Sequence, residues 1–493
     1  MTKDDIEKAF KRKQAKQRQI ENEQGLGKPI ISEKVGENRF VAVGSRLFVS
    51  NKWKTFHDFL FEYIKSIFPK DWGNDELKKP LQERHPILQW YEASTTYLNS
   101  KLLKRGEINK TYATGAIVLY IDLAYNLYLI SHNKHLQNSL INRLIKKDQF
   151  QGAYFETFVA GTFIKAGFDI DFENEDDPKD THCEFTATHK VTKEKYSVEA
   201  KSREPNKRNL NIGNQLYKAL KKKADNTRIV FIDLNARVDS SERNKKETLI
   251  EAIKSCRKKE ATLNINGKPA PKAYIIIVNH TYRYGLDDID CTSLGVGEGF
   301  KIPDFKFDTK FRTLREMINS REKHSEIYDL LDSMTKHRMA PISFDGEFPE
   351  FDEVESKNRL LIGEKYILPE NGRSIVAELI GAEVIKKDKA AICIFKTEEG
   401  KTVIYTCPLS DKEFEAFLDH SETFFGVAKS PSEAKDPVDL YYWLMNSYKN
   451  IEKEKLIEYM RRAGISPIET SLSRNKLLEI YCERMAENIL SQP

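Results

Sequence analysis

Two hydrophobic rhythms divide the chain. From Trp53 to about residue 148, apolar positions fall in long blocks at the three-to-four spacing of helices. They predict helices over 53–68, closed by Pro69, and over 88–104, 111–131 and 135–148. A β-hairpin over Arg39 to Ser50, turning at Gly44-Ser45, precedes them. From Gln151 the rhythm changes. A helix over Gly152 to Ala166 stops at Gly167, the residue type that most easily takes the left-handed cap. Short alternating runs follow at 168–173, 183–189, 195–201 and 228–234, with a helix over 212–224 between the last two. A further helix over 243–258 leads to the apolar strand Ala273 to Val278. Helix, clustered strands and crossover helices together predict an α/β sandwich.

Residues 286–311 read as a Gly/Asp-rich loop, followed by a helix over 312–336 and an acidic linker from Asp345 to Glu355. Between Arg359 and Cys407, three or four short β segments are separated by the turns Glu370-Asn371-Gly372, Lys386-Lys387-Asp388 and Glu398-Glu399-Gly400. Residues 436–490 are helical, with a break at Gly464. The expected organisation is a charged N-terminal arm over 1–29, a mostly helical domain over 30–148 and an α/β domain over 149–340. A small β domain over 355–426 and a helical module over 436–493 complete it.

Composition narrows the class. At 493 residues the chain exceeds what one core supports, and 40% hydrophobic with 31% charged residues is the make-up of globular domains. The net charge of +5 alone does not single out a nucleic-acid partner. Six cysteines are scattered without a Cys-x-x-Cys pair, which argues against a disulfide framework and for a reducing cytoplasm. The apolar stretch Ala113 to Ile130 carries Asp122 and Asn126 centrally. It therefore reads as a buried helix, and no membrane association is expected.

Candidate chemistry lies in Tyr196-Ser-Val-Glu-Ala-Lys-Ser202. In a strand, Tyr196, Val198 and Ala200 share one face while Ser197, Glu199 and Lys201 share the other. Two residues along a strand are about 7 Å apart, so Glu199 and Lys201 can reach one phosphate. Over 183–189 the same alternation puts Glu184 on the polar face and Cys183 with Phe185 and Ala187. If the two strands form a hairpin, Glu184 and Glu199 converge into a site suited to Mg²⁺, which takes few protein oxygens and keeps its waters. The helix over 152–166 is almost wholly apolar or small, with Glu156 and Lys165 as its charges. A Glu in such a helix needs a partner, which a metal or Lys201 would provide.

Glu156 in an apolar helix, Glu184 at a strand start and Glu199-Ala200-Lys201 on the next strand resemble the PD-(D/E)XK, restriction-endonuclease-like superfamily. The resemblance covers roughly residues 148–235, under a third of the chain. It departs from the family where Cys183 stands instead of Pro before the second acid, and where Asp180, four residues earlier, competes with Glu184 as the ligand. Gln215, in Gly213-Asn-Gln-Leu-Tyr217, stands where the family often bears a polar residue on the following helix.

The resemblance implies an α/β/α core and Mg²⁺- or Mn²⁺-dependent hydrolysis of nucleic-acid phosphodiesters, DNA before RNA. Glu184 and Glu199 would hold the metal, assisted by Glu156 or Asp180, and Lys201 would orient water or stabilise developing charge. Bacterial phage defence or restriction, and a homodimer that cuts both strands, follow by analogy with the family.

Other readings stand beside this one. His182, Cys183 and His189 suggest zinc, but the alternation separates Cys183 from His182. The basic run Lys201 to Lys223, with Arg203, Lys207, Arg208, Lys218, Lys221 and Lys222, is either a phosphate-tracking surface or a solvated helix face. The helices within Leu456–Met485 are faintly similar to SAP-type DNA-binding modules. The chief alternative is a non-catalytic nucleic-acid-binding or scaffold protein that retains the fold. A further one is an interaction protein, which an exposed apolar patch on the β domain would favour.

Overall fold

The computed structural model describes every residue except 1–2, 102–110, 173–182, 205–210, 238–241, 280–284, 290–293, 312, 349–350, 352–357, 371, 430–435, 466–469 and 491–493. Two compact units emerge. The larger comprises Ile20–Thr309 and Glu326–Glu347; the smaller comprises Met1–Gln19, Lys310–Ser325 and Phe348–Pro493. Helix α1 (Lys3–Gln24) contributes residues to both.

In the larger unit, β1 (Ile31–Val35), β2 (Asn38–Val43) and β3 (Arg46–Ser50) form an antiparallel meander. Its second turn is the expected one at Gly44-Ser45, closed by the Val43–Arg46 pair. Helices α2 (Phe56–Tyr63), α3 (Lys70–Leu77), α4 (Pro86–Lys101), α5 (Gly115–Asn133), α6 (Asn138–Leu144) and α7 (Lys147–Lys165) follow. A reciprocal Thr55/Asp58 cap starts α2. Helix α5 is buried on almost every face, as its unbroken apolar run demands. Among the described residues, no helix is long and apolar enough to cross a membrane.

Helix α7 ends at Gly167, which takes φ +87° and turns the chain into β4 (Phe168–Phe172). Then come β5 (Phe185–His189), β6 (Lys195–Ser202), α8 (Gly213–Lys221), β7 (Thr227–Asp233) and α9 (Glu242–Glu260). A two-residue hairpin, β8 (Asn264–Ile265) and β9 (Lys268–Pro269), precedes β10 (Ala273–Asn279) and β11 (Leu294–Phe300). Six of these strands make one sheet in the order β11-β10-β7-β6-β5-β4. The pairs β6–β7 and β7–β10 are parallel and the others antiparallel.

Alternation divides the sheet's side chains between two cores. Val198, Ala200, Phe231 and Ile276 pack with Val159, Ala160 and Phe163 of α7. Val230, Ile232, Ile275 and Ile277 pack with Leu216 and Leu220 of α8 and Leu249 and Ile253 of α9. Strands β7 and β10 are thus buried on both faces, which explains their continuous apolar runs. The first core also takes in Phe56, Leu60, Trp90 and Leu127. Residues 30–148, expected as a domain of their own, therefore share one core and one compact unit with the α/β region.

Strand β11 lies inside the expected loop over 286–311. Its alternate Gly295, Gly297 and Gly299 allow close approach of other elements. A Cβ at 297 would lie 3.0 Å from Leu331, and one at 299 would lie 2.3 Å from the Phe305 carbonyl oxygen. The helix expected over 312–336 is two, α10 (Leu314–Lys323) and α11 (Ser325–Lys336), which meet at the non-helical His324.

In the smaller unit, β12 (Lys365–Glu370), β13 (Arg373–Ile385), β14 (Ala390–Thr397) and β15 (Thr402–Pro408) form a consecutive antiparallel sheet. Leu379, Cys393 and Phe395 on one face pack with Phe417 of α12 (Asp411–His420), whose start carries a Ser410/Glu413 capping box. Helix α1 is not a solvated arm here. Arg12 donates to the carbonyls of Ile362 and Gly426, both at 2.7 Å, and Ala15 is buried. Helices α13 (Pro437–Ser447), α14 (Lys453–Arg462) and α15 (Arg474–Leu490) build a last core, in which Leu456, Met460, Leu477 and Tyr481 join Leu314 and Ile318.

Candidate active site

Three of the expected residues come together on the α8 side of the sheet. Strands β5 and β6 pair Phe185 with Val198, so Glu184, one step beyond, falls across from Glu199. Strands β6 and β7 pair Glu199 with Val230 and Lys201 with Ile232. Because Val230 and Ile232 point into the α8–α9 core, Glu199 and Lys201 leave the strand on that side. Lys201 Nζ lies in ion-pair contact with Glu199 Oε1 and 3.3 Å from Glu184 Oε1. It also donates to the Ala200 carbonyl at 3.2 Å.

A second cation completes the group. Lys222, which caps α8, places Nζ 3.9 Å from Glu199 Oε1. The sequence counts it only within a basic run. Its one local signal is that it follows Gln215 by seven residues, about two helical turns. Gln215 Oε1 is buried without a hydrogen-bond partner among the described residues.

Glu199 is 1% exposed, whereas Lys201 is 21% exposed. Burial and the neighbouring Glu184 push the Glu199 carboxyl up to about 8, against the pull of Lys201 and Lys222. Burial lowers the Lys201 ammonium's pKa, but the two carboxylates outweigh it and the net shift is upward. Lys201 and Lys222 approach Glu199 Oε1, whereas Oε2 is buried without a hydrogen-bond partner among the described residues. A buried carboxylate oxygen that no donor reaches suits a bound cation. Glu184 and Glu199 are a donor set of the size Mg²⁺ uses, leaving most of its coordination to water. No group of three or more His, Cys, Asp or Glu is gathered for a metal among the described residues.

Glu156 has a cation beside it other than Lys201. It sits on α7, which packs on the Val198/Ala200 face, and Arg143 of α6 pairs with it at 2.6 Å. Where a metal or Lys201 is expected, this guanidinium is a partner. Replacing Glu156 by Gln is therefore expected to leave any cleavage rate unchanged. Leaving Arg143 underpaired should lower stability by about 1–2 kcal/mol, read from urea unfolding. A hundredfold loss of cleavage with unaltered stability would return Glu156 to the chemistry.

Cys183 also departs from expectation. Strand β5 starts at Phe185 after a bend at Glu184, so the alternation does not extend to residue 183. Cys183 Sγ instead points to the Lys223 carbonyl at 3.4 Å, and burial, then Glu199, raises its thiol to about 12. A thiol held protonated is a poor zinc ligand. His182 and Asp180 lie outside the described residues, as do Lys207 and Arg208.

Arg203 is buried and donates to the Leu234 carbonyl at 3.0 Å, so it braces the ends of β6 and β7 and is not a phosphate contact. Ser202 strengthens the same corner, donating to buried Asp233 at 3.3 Å and accepting from Gln151 at 3.2 Å. Compared with known proteins, the chain matches no family model, no curated protein and no solved structure.

Proposed function

We propose that the chain is a divalent-metal-dependent nuclease that hydrolyses phosphodiester bonds, with DNA favoured over RNA. The observation that carries the reading is the convergence of Glu184, Glu199 and Lys201 on one face of a mixed sheet. The order helix α7, antiparallel β4–β5–β6, helix α8 and parallel β7 supports the resemblance to restriction-endonuclease-like enzymes.

Glu184 and Glu199 would hold Mg²⁺ or Mn²⁺, which when bound acidifies a coordinated water and polarises the phosphoryl oxygen. Lys201 positions the attacking water or neutralises charge on the phosphate, since its ammonium already lies against both acids. Lys222 adds a second positive group beside Glu199, placed to attract the scissile phosphate or its neighbour. Lys222→Ala is expected to slow cleavage about tenfold through weaker substrate binding, with the metal concentration for half-maximal rate unchanged. Steady-state rates across Mg²⁺ and DNA titrations separate the two effects.

The test of the function incubates plasmid, linear and single-stranded DNA, and RNA, with Mg²⁺, Mn²⁺ or EDTA. Wild type and Glu199→Gln are run in parallel. Cleavage that requires metal and is lost in Glu199→Gln supports the reading and names the substrate. Cleavage that survives EDTA or the substitution overturns it. Binding without cleavage would favour the non-catalytic scaffold.

A second reading, of an interaction protein, is favoured by one observation. The sheet face of β12–β15 opposite its core exposes Ile367 and Ile404 at 75% and 66%, beside Val376, Ile380 and Ile392. If this face joins two copies of the chain, Ile404→Lys converts a dimer to monomers in analytical ultracentrifugation. A wild-type monomer rules out that use of the face.

A further inference from the structure

Away from the carboxylates, the helical layer of the larger unit holds a cavity of about 280 Å³ between the segment from Ile64 to Pro69, which follows α2, and helices α3, α4 and α5. Its size is near the lower end for small-ligand sites. Phe68, Trp72, Tyr91 and Tyr120 supply aromatic surface, and among the described lining residues the charged groups are Lys65 and Lys70. Aromatic walls with a cationic edge complement a flat ring that carries negative charge.

Tyr120 adds a polar group to this lining. Its side chain is 2% exposed and lines the cavity. A phenol hydroxyl can both donate to and accept from the edge of a base. Lys65 is pre-positioned: its Nζ lies 4.6 Å from the Tyr91 ring centroid and donates to the Tyr91 hydroxyl at 3.2 Å. Lys70 is exposed at the first turn of α3.

We infer that this cavity binds one nucleotide, its base among Phe68, Trp72 and Tyr91 with an edge hydrogen-bonded to Tyr120, and its phosphate between Lys65 and Lys70. The nucleotide is either free or an unpaired unit of a strand. The binding does not depend on the cleavage reading, because none of the residues at Glu199 takes part.

Calorimetry on the full chain in EDTA decides it, with dTMP, thymidine, inorganic phosphate and octathymidylate as probes. The expected result is saturable dTMP binding, with thymidine about tenfold weaker and phosphate alone undetectable. Tyr120→Phe keeps the ring and should weaken dTMP and thymidine alike, about three- to tenfold. The double variant Lys65→Ala/Lys70→Ala, at exposed positions, should remove the advantage of dTMP over thymidine. Octathymidylate binding with the same sensitivities identifies a strand as the source, and binding of dTMP alone identifies a free nucleotide. Lys201→Ala should bind dTMP as wild type does, so loss of cleavage and loss of this site are told apart. No heat with any nucleotide, or heat unchanged in both cavity variants, would overturn the assignment.

Discussion

Lys201→Ala should reduce metal-dependent cleavage by roughly a hundred- to a thousandfold, the usual cost of removing one preorganised charge from a transition state. The side chain is central to the site's electrostatics. Its ammonium touches both Glu184 and Glu199, and Glu199 is almost fully buried. Removing it leaves two carboxylates facing each other with Lys222 as the remaining cation on Glu199 at 3.9 Å. Mg²⁺ affinity should therefore hold or rise while the chemical step slows. Single-turnover cleavage of end-labelled DNA and a Mg²⁺ titration read the two quantities separately. A rate within threefold of wild type would remove Lys201 from the reaction and, with it, the strongest support for a nuclease.

The largest expected loss of stability lies at Arg257. Its guanidinium grips buried Glu298 with two hydrogen bonds of 2.9 Å and also pairs with Asp308 at 2.6 Å. Glu298 belongs to β11 and Arg257 to α9, so the pair joins the edge strand to the helix layer. Arg257→Ala should cost about 3 kcal/mol, because a carboxylate with no exposure loses its main counter-charge. The figure sits at the low end for a broken buried pair because Lys306 stays 3.4 Å from Glu298 and the Phe307 amide still donates to it. Denaturant unfolding measures the loss, and Arg257→Leu/Glu298→Leu should recover much of it. A loss below 1 kcal/mol in the single variant would mean that β11 is held by its glycine-mediated packing instead.

What was legible in the sequence follows from the physics of each element. Strands β5, β6, β7 and β10 announce themselves because one or both faces are buried, and that forces alternation or continuous apolar runs. Alternation also placed Glu184, Glu199 and Lys201 on a common face. Strand β11 was hidden because its alternate positions are Gly295, Gly297 and Gly299, which carry no side chain to mark one face. Glu156 misled for a related reason: an apolar helix shows that a buried acid needs a partner, but not which one. Arg143 answers from the neighbouring helix. Lys222 was missed because its reach depends on where α8 ends over β6, which is a tertiary fact. Cys183 was misplaced because alternation was extended past the bend that begins β5.

The interleaving of the two units has a consequence for biosynthesis. The unit that carries Glu199 is finished only when Glu326–Glu347 has been made, and the other needs Met1–Gln19 and Lys310–Ser325 as well as everything after Phe348. As the chain leaves the ribosome, its first helix must wait through more than three hundred residues for part of its company. Leu314 and Ile318 stay uncovered until Leu456 and Leu477 arrive. The acidic stretch near residue 350 looks like a natural place to cut the protein in two. Severed there, the first piece would carry apolar surface meant for the second, and chaperone dependence or aggregation would follow before any chemistry was tested.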